Sequence, residues 1–282
     1  MMIVIVDAIV IVTMNKKGIS MELKDIERSI IKKYRKTIFS PFIKAIKEFN
    51  LIEENDKIAV CISGGKDSFL LAKCMQEIKK HGKINFSLEF IVMNPGYNQE
   101  NLEQIKYNLN KLNISAHIFE TPIFKVAERT DNPCYMCAKM RRGYLYDFAK
   151  KLGCNKIALG HHFNDVIETV MLNMLFTGSF SSMLPKIKSD HFENMYLIRP
   201  LYYVREKDIV KFAQTNELKF LDCACSVTKK NSGKRKVVKE LIEELNKVYE
   251  KADVNILTST KNVNLNTILG YQKGEEEFKN VN

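Results

Sequence analysis

Four short apolar runs divide the middle of the chain, and longer stretches with helical spacing separate them. The runs are KIAVCI (57–62), SLEFIVM (87–93), SAHIFE (115–120) and KIALG (156–160). Each is short, rich in β-branched or aromatic residues, and nearly unbroken by charge. Buried strands of a parallel sheet read this way. A helix beginning near Asp67, one over roughly 99–112, one over 138–151 and one following HHFND fill the gaps. Strand–helix alternation of this kind predicts an α/β fold, a Rossmann-like parallel sheet with helices on both faces.

Outside that block the pattern changes. Residues 21–50 read as basic helical structure interrupted before Pro41, with Ile30, Ile31 and Tyr34 on one side and Lys32, Lys33, Arg35 and Lys36 on the other. After Pro200 come a shorter helix, a cysteine-bearing turn, a basic helix over 234–250 and a polar tail. The opening MMIVIVDAIVIVTMNKK is apolar but too short for a membrane span, which needs about 20 residues. It lacks the basic start and small-residue cleavage site of a signal peptide. It reads as a leader from an upstream start, with a short extra strand as second option. The expected divisions are a leader (1–20), a basic helical region (21–55), a nucleotide-binding domain (56–222) and a late cysteine turn with helix and tail (223–282).

Charge and cysteine content narrow the chemistry. The 44 Lys and Arg against 33 Asp and Glu give a net charge of +11, which favours a polyanionic partner. Seven cysteines in 282 residues are an odd number in a chain too large to need disulfide staples. Cys134–Cys137 and Cys223–Cys225 form close pairs, whereas Cys61, Cys74 and Cys154 stand alone in expected strands and helices. The pattern implies a reducing cytosol and a metal site. Spacing alone leaves a zinc site and an iron–sulfur site equally open.

Ser63-Gly64-Gly65-Lys66-Asp67-Ser68 lies between the first run and a helix. Its glycines permit a tight turn and close backbone approach to phosphate. The helix start supplies free N–H groups, and Lys66 with the two serine hydroxyls adds charge and donors. The glycine spacing is not that of a Walker A loop. The string resembles the SGGxDS fingerprint of the PP-loop ATP pyrophosphatase superfamily. That resemblance implies cleavage of ATP between the α and β phosphates and transfer of AMP to a carbonyl-type oxygen.

The loop after the fourth run, Leu159-Gly160-His161-His162-Phe163-Asn164-Asp165-Val166-Ile167-Glu168-Thr169, resembles the GHHxDDxxET string of the tRNA-modifying PP-loop branch. In a parallel sheet it would lie beside the phosphate loop. Gly160 and His161 are the expected nucleotide neighbours. Asp165 is the candidate Mg²⁺ ligand, since Asn164 replaces the first acidic residue of the string. Glu168 is read as orienting a neighbour on the helix.

The order of motifs is specific: SGGKDS, a CxxC followed by Arg141 and Arg142, the GHH string, Arg199-Pro200-Leu201 with Arg205-Glu206, and a late cysteine. Over roughly residues 25–270 it resembles the tRNA 2-thiocytidine synthetase family. The resemblance implies a 4Fe–4S cluster on Cys134, Cys137 and one late cysteine. Cys223 is preferred, and Cys225 is its rival because Cys-Ala-Cys departs from the family's form. It also implies ATP and Mg²⁺ as further requirements and cytidine 32 of the anticodon loop as substrate. Lys66, Asp165 and Arg141 would be the catalytic set, and sulfur would come from a cysteine desulfurase or another carrier. A homodimer is left open, and no membrane association is expected. The 2-thiouridine branch, a lysidine-type ligase and a non-catalytic tRNA- or nucleotide-binding protein are the competing readings.

Overall fold

The structure is a computed structural model that describes residues 10–12, 21–127, 129–130, 133–221 and 233–279. Helix α1 (Met21–Ile31) leads through a π-type turn (Arg35–Phe39) into α2 (Ser40–Glu48). Pro41 sits in the first turn of α2, where its missing N–H leaves no bond unmade. Ile30, Tyr34, Ile38 and Phe42 are buried, whereas Lys32, Lys33, Arg35 and Lys36 are exposed, matching the two-sided pattern.

The expected alternation follows. Strand β2 (Lys57–Ile62) runs into α3 (Lys66–His81), β3 (Ser87–Asn94) into α4 (Gln99–Lys111), and β4 (Ala116–Glu120) into α5 (Ile123–Ala127) and α6 (Pro133–Lys151). Strand β5 (Lys156–Ala158) runs into α7 (Phe163–Thr177). Strands β6 (Lys186–Lys188) and β7 (Tyr196–Ile198) and helix α8 (Glu206–Thr215) come next. With Val10–Val12 as β1, the central sheet has the order β1-β4-β3-β2-β5-β7-β6. The five inner strands are parallel, and both edge strands are antiparallel to their neighbours. Strands β6 and β7 and helix α5 add to the four-strand reading, and β1 falls within the leader.

Strand order reverses at β2. Its successors in space are β3 on one side and β5 on the other, with Val60 paired to Phe90 and to Ala158. The loops leaving β2 and β5 therefore diverge over a crevice at the carboxyl ends of the strands, the ligand position of open α/β sheets. Helix α3 starts in that crevice with Asp67 in its first turn and ends on Lys79, Lys80 and His81, as the helix dipole favours.

The core on one side of the sheet centres on Ile91, Phe119, Phe148 and Ile157, with Phe119 stacked on Phe148 at 4.2 Å. The start of β5 is pinned by Lys156, a fully buried cation. Its Nζ lies 2.6 Å from Asp56 Oδ2 and 2.6 Å from Glu53 Oε2, and donates to Leu51 O. Burial of this charge is tolerated because every donor finds an acceptor.

Two compact units emerge from the chain. One is Met1–Asp165 with Leu184–Ser232, which carries the sheet. The other is Val166–Met183 with Gly233–Asn282. The second contains most of α7, α9 (Gly233–Val248), α10 (Ala252–Ser259) and a hairpin of β8 (Gly270–Lys273) with β9 (Glu276–Lys279), where only a polar tail was expected. Among the described residues no helix is long and apolar enough to cross a membrane.

Candidate active site

The phosphate loop is a closed ring of short polar contacts. Ser63 N–H donates to Ser68 Oγ (3.1 Å), Ser63 Oγ–H donates to the same oxygen (3.3 Å), and Ser68 donates to Gly65 O (2.8 Å). Gly64 holds φ +90°, a backbone conformation that demands glycine, and a Cβ there would also stand 2.8 Å from Leu221 Cδ1. Gly65 precedes α3 with no side-chain cap, so the first N–H groups of the helix open onto the loop. Tyr97, held in the turn after β3 by Asn94 Oδ1, donates from its hydroxyl to Ser63 O (3.0 Å).

The GHH loop meets this ring directly. A Cβ on Gly160 would lie 3.0 Å from Asp67 C and from Ser68 N. His162 is buried; its Nδ1 accepts from Asp165 N–H (3.4 Å), and Asp165 Oδ2 accepts from His162 N–H (3.0 Å). His162 Nδ1 also lies 3.4 Å from Asp165 Oδ2, and its Nε2 lies 3.7 Å from Asp67 Oδ1. His161 instead faces Arg199, whose Nε donates to its Nδ1 (3.2 Å). Arg199 is buried, and burial brings its guanidinium down to about 10. Asn164 Oδ1 accepts from Glu206 N–H (2.9 Å) and so ties the loop to the first residue of α8. The amide at 164 thus has a structural partner.

The charges converge on Lys66. Its Nζ lies 3.3 Å from Asp67 and 3.2 Å from Glu206 Oε1. Burial alone would lower Lys66, but the two carboxylates outweigh it and hold the ammonium above its ordinary range. Asp67 goes the other way: burial raises its carboxyl against the pull of His162 and Lys66. Asp67 Oδ1 is buried and makes no hydrogen bond, although Lys66 Nζ stands in ion-pair range of it at 3.3 Å.

The helix expected over 138–151 begins earlier, at Pro133, so Cys134 and Cys137 lie on it and not on the loop before it. They occupy the first turns of α6, which Pro133 opens with its preset φ. Cys137 is half-buried against the core beside Phe124 and Met140. Arg141, one turn on, lies over the Phe124 ring at 5.9 Å, and its Nε is buried without a hydrogen bond. Phe124 in turn meets the Tyr97 ring at 6.0 Å. A continuous line of contacts, Arg141–Phe124–Tyr97–Ser63, therefore joins the start of α6 to the phosphate loop. Cys61, Cys74 and Cys154 are buried, and burial pushes their thiols up, that of Cys154 to about 11.

Cys223 and Cys225 lie outside the described residues. Leu221, shortly before them, donates its N–H to Gly64 O (3.1 Å). Among the described residues no group of three or more His, Cys, Asp or Glu is placed to hold a metal ion. Glu168 belongs to the second unit, where it is buried against Arg235 of α9 at 2.7 Å. Sequence reasoning passes over Tyr97, and it carries Glu206 only as part of a motif string. The Pro95-Gly96 turn at the end of β3 is the available signal for Tyr97.

Comparison with known proteins agrees with this geometry. The PP-loop domain family matches residues 35–245. The tRNA-cytidine(32) 2-sulfurtransferase of Alcanivorax borkumensis is 35% identical over 84% of this chain and 84% of its own length. The protein of the same name from Geobacter metallireducens is 36% identical over 82% of this chain and 91% of its own. A solved structure of the U34-tRNA thiolase NcsA from Methanococcus maripaludis with its 4Fe–4S cluster superposes with a TM-score of 0.64. It covers 79% of this chain and 76% of its own at 23% identity, which establishes a shared fold. A phosphate loop and a GHH loop closed against each other at the sheet's switch point, with relatives matched along most of both chains, place this chain in the tRNA-cytidine(32) 2-sulfurtransferase family of PP-loop proteins.

Proposed function

We propose that the chain is an ATP-dependent sulfurtransferase that replaces the C2 oxygen of cytidine 32 in tRNA with sulfur. The observation that carries this reading is the contact of Gly160 with Asp67 and Ser68, which makes one crevice from two motifs. An amide-type oxygen is a poor leaving group. Attack of that oxygen on the α phosphorus of ATP expels pyrophosphate and leaves C2 bonded to an AMP oxygen. Sulfur then bonds to C2, and the C2–oxygen bond breaks as AMP departs.

The chain's own groups divide this work. The ring of Ser63, Gly64, Gly65 and Ser68 and the open N–H groups of α3 receive the phosphates. Lys66 offsets charge on the pentacoordinate phosphorus. Gly160 and His161 border the nucleotide, and Arg141 is the cation on the side of α6. Mg²⁺ suits the site, because it takes one or two carboxylates together with substrate phosphates. Asp67 Oδ1, buried without a hydrogen bond, is a donor of that kind beside Asp165. Bound there, the ion would neutralise phosphate charge.

The thiols also suit a cluster. Cys134 and Cys137 stand one turn apart, while the other described thiols are buried with raised pKa. Cys223, which follows Lys219-Phe220-Leu221, is the preferred third ligand, with Cys225 as its rival. Held by three cysteines, a 4Fe–4S cluster would have one iron without a protein ligand and would supply a binding place for the incoming sulfur. The sulfur would come from a cysteine desulfurase or other carrier in the reducing cytosol. An anticodon-loop base is already unpaired, so drawing it into the crevice costs little.

The test is mass spectrometry of tRNA nucleosides after anaerobic incubation with ATP, Mg²⁺ and sulfide. 2-Thiocytidine is the expected product. Thiouridine or lysidine would replace this reading with another PP-loop chemistry. ATP binding without pyrophosphate release would mark a non-catalytic binder.

Affinity for tRNA is expected to fall steeply with salt. Lys32, Lys33, Arg35 and Lys36 are exposed, as are Lys234, Lys236 and Lys239 of the 229–239 segment. Replacing the first four with glutamine should flatten the log–log salt dependence by about 0.7–0.9 for each phosphate that is no longer neutralised. An unchanged slope would make them ordinary solvated charges.

A further inference from the structure

Lys66 is held by a residue from 140 positions away. Glu206 opens α8, and its carboxylate lies 3.2 Å from Lys66 Nζ. Two contacts fix the start of α8 against the GHH loop independently of that carboxylate. Asn164 Oδ1 takes the Glu206 N–H, and the Arg205 guanidinium lies over the Phe163 ring at 4.7 Å. Burial of Ile209 and Phe212 anchors the rest of the helix. The Lys66–Glu206 pair is about a quarter exposed on each side, and Asp67 gives the ammonium a second carboxylate, so loss of Glu206 does not leave Lys66 unpaired.

A nucleotide would feel it strongly. A triphosphate entering the crevice meets Asp67, Asp165 and Glu206 around one lysine. Lysine is a compact point charge. Its ammonium cannot serve a phosphate and Glu206 at full strength together, and an unpaired carboxylate next to phosphate is repulsive.

We propose that Glu206 is a positioning residue for Lys66, a resident anion that holds the ammonium until the ATP phosphates displace it and takes it back when pyrophosphate leaves. This rests on the assignment of residues 63–68 to ATP. The carboxylate therefore weakens binding of both substrate and product phosphates and keeps the site from being trapped by pyrophosphate.

The test is calorimetric titration of the full-length, anaerobically prepared protein with MgATP and separately with pyrophosphate, for wild type, Glu206→Gln and Glu206→Asp. Lys207→Ala, an exposed neighbour, serves as the control. Glu206→Gln should bind both ligands roughly tenfold more tightly. Its single-turnover AMP formation should persist, while steady-state turnover slows and pyrophosphate inhibition deepens. Glu206→Asp keeps the charge and should stay within about threefold of wild type. Equal or weaker binding by Glu206→Gln overturns the proposal. Should that variant fail to fold, Glu206→Ala retains the N–H that Asn164 holds and reads the same quantity. Failure of both to fold would make Glu206 structural and the proposal wrong. Absence of ATP binding by wild type would instead overturn the nucleotide assignment itself.

Discussion

Cys137→Ala is expected to strip the protein of iron and acid-labile sulfide and bring tRNA thiolation down to background, with ATP affinity unchanged. The side chain is small and half-buried at the start of a helix, where alanine is the most favourable replacement. The fold should therefore survive, and the deficit should be one of chemistry. Cys134→Ala should behave identically. Cys154→Ala is the informative control, because its thiol is buried among Ala59, Cys61 and Ile157 and pushed up to about 11. A thiol that resists ionisation is a poor metal ligand, so this variant should retain the cluster. Of the late pair, Cys223→Ala should lose it and Cys225→Ala keep it. A requirement for both late cysteines, or bound zinc with activity retained, would mean a closed four-ligand site and no open iron.

Asp67→Ala is expected to reduce AMP formation by roughly 10²–10³-fold while leaving the melting temperature equal or higher. The stability half follows from the sign of its shift. Burial raises the folded carboxyl above its ordinary value, so the folded state binds its proton more tightly than the unfolded chain does. That contribution is present at low pH and lost as pH rises through the folded value. At neutral pH the ionised group works against the fold, and removing it relieves that. A buried carboxylate that opposes stability, with only Lys66 in ion-pair range of its Oδ1, is what a phosphate- or metal-binding role predicts. Parallel assays of pyrophosphate release and thermal unfolding would separate the two effects. Full activity in the variant would remove Asp67 from the site. Ser68→Ala should also lose activity, but by opening the ring that shapes the loop.

Some of this is readable from the chain because buried parallel strands leave unbroken apolar runs. KIAVCI becomes β2 with the expected bounds, and the helix after SGGK begins within one residue of its expected start. The juxtaposition of SGGKDS and GHHFND follows from sheet topology alone. The short strands beyond β5 in the sheet are not readable: KIK and YLI are three residues each and carry no period long enough to recognise. The helical placement of the CxxC is hidden because the apolar residues of α6 are spread around its axis. Pro133 is the one positional cue. Glu206 at Lys66 and Tyr97 at Ser63 depend on how distant loops fold back, and that information lies in the packing of α8 and β3 rather than in any local string.

Gly160 carries a mechanical consequence. With no side chain at that point, the backbone after β5 rests on the first turn of α3, at a separation that even a methyl group would force apart. The two loops have no compressible spacer between them, so neither can shift toward the other, and a push on one is transmitted to its neighbour. A shift of the loop after β2 toward the histidine loop would bring backbone against backbone. Asn164 then carries that displacement into the first turn of α8. A glycine thus acts as the rigid coupling of a small lever, joining the grip on phosphate to the chain that leads toward the late cysteines.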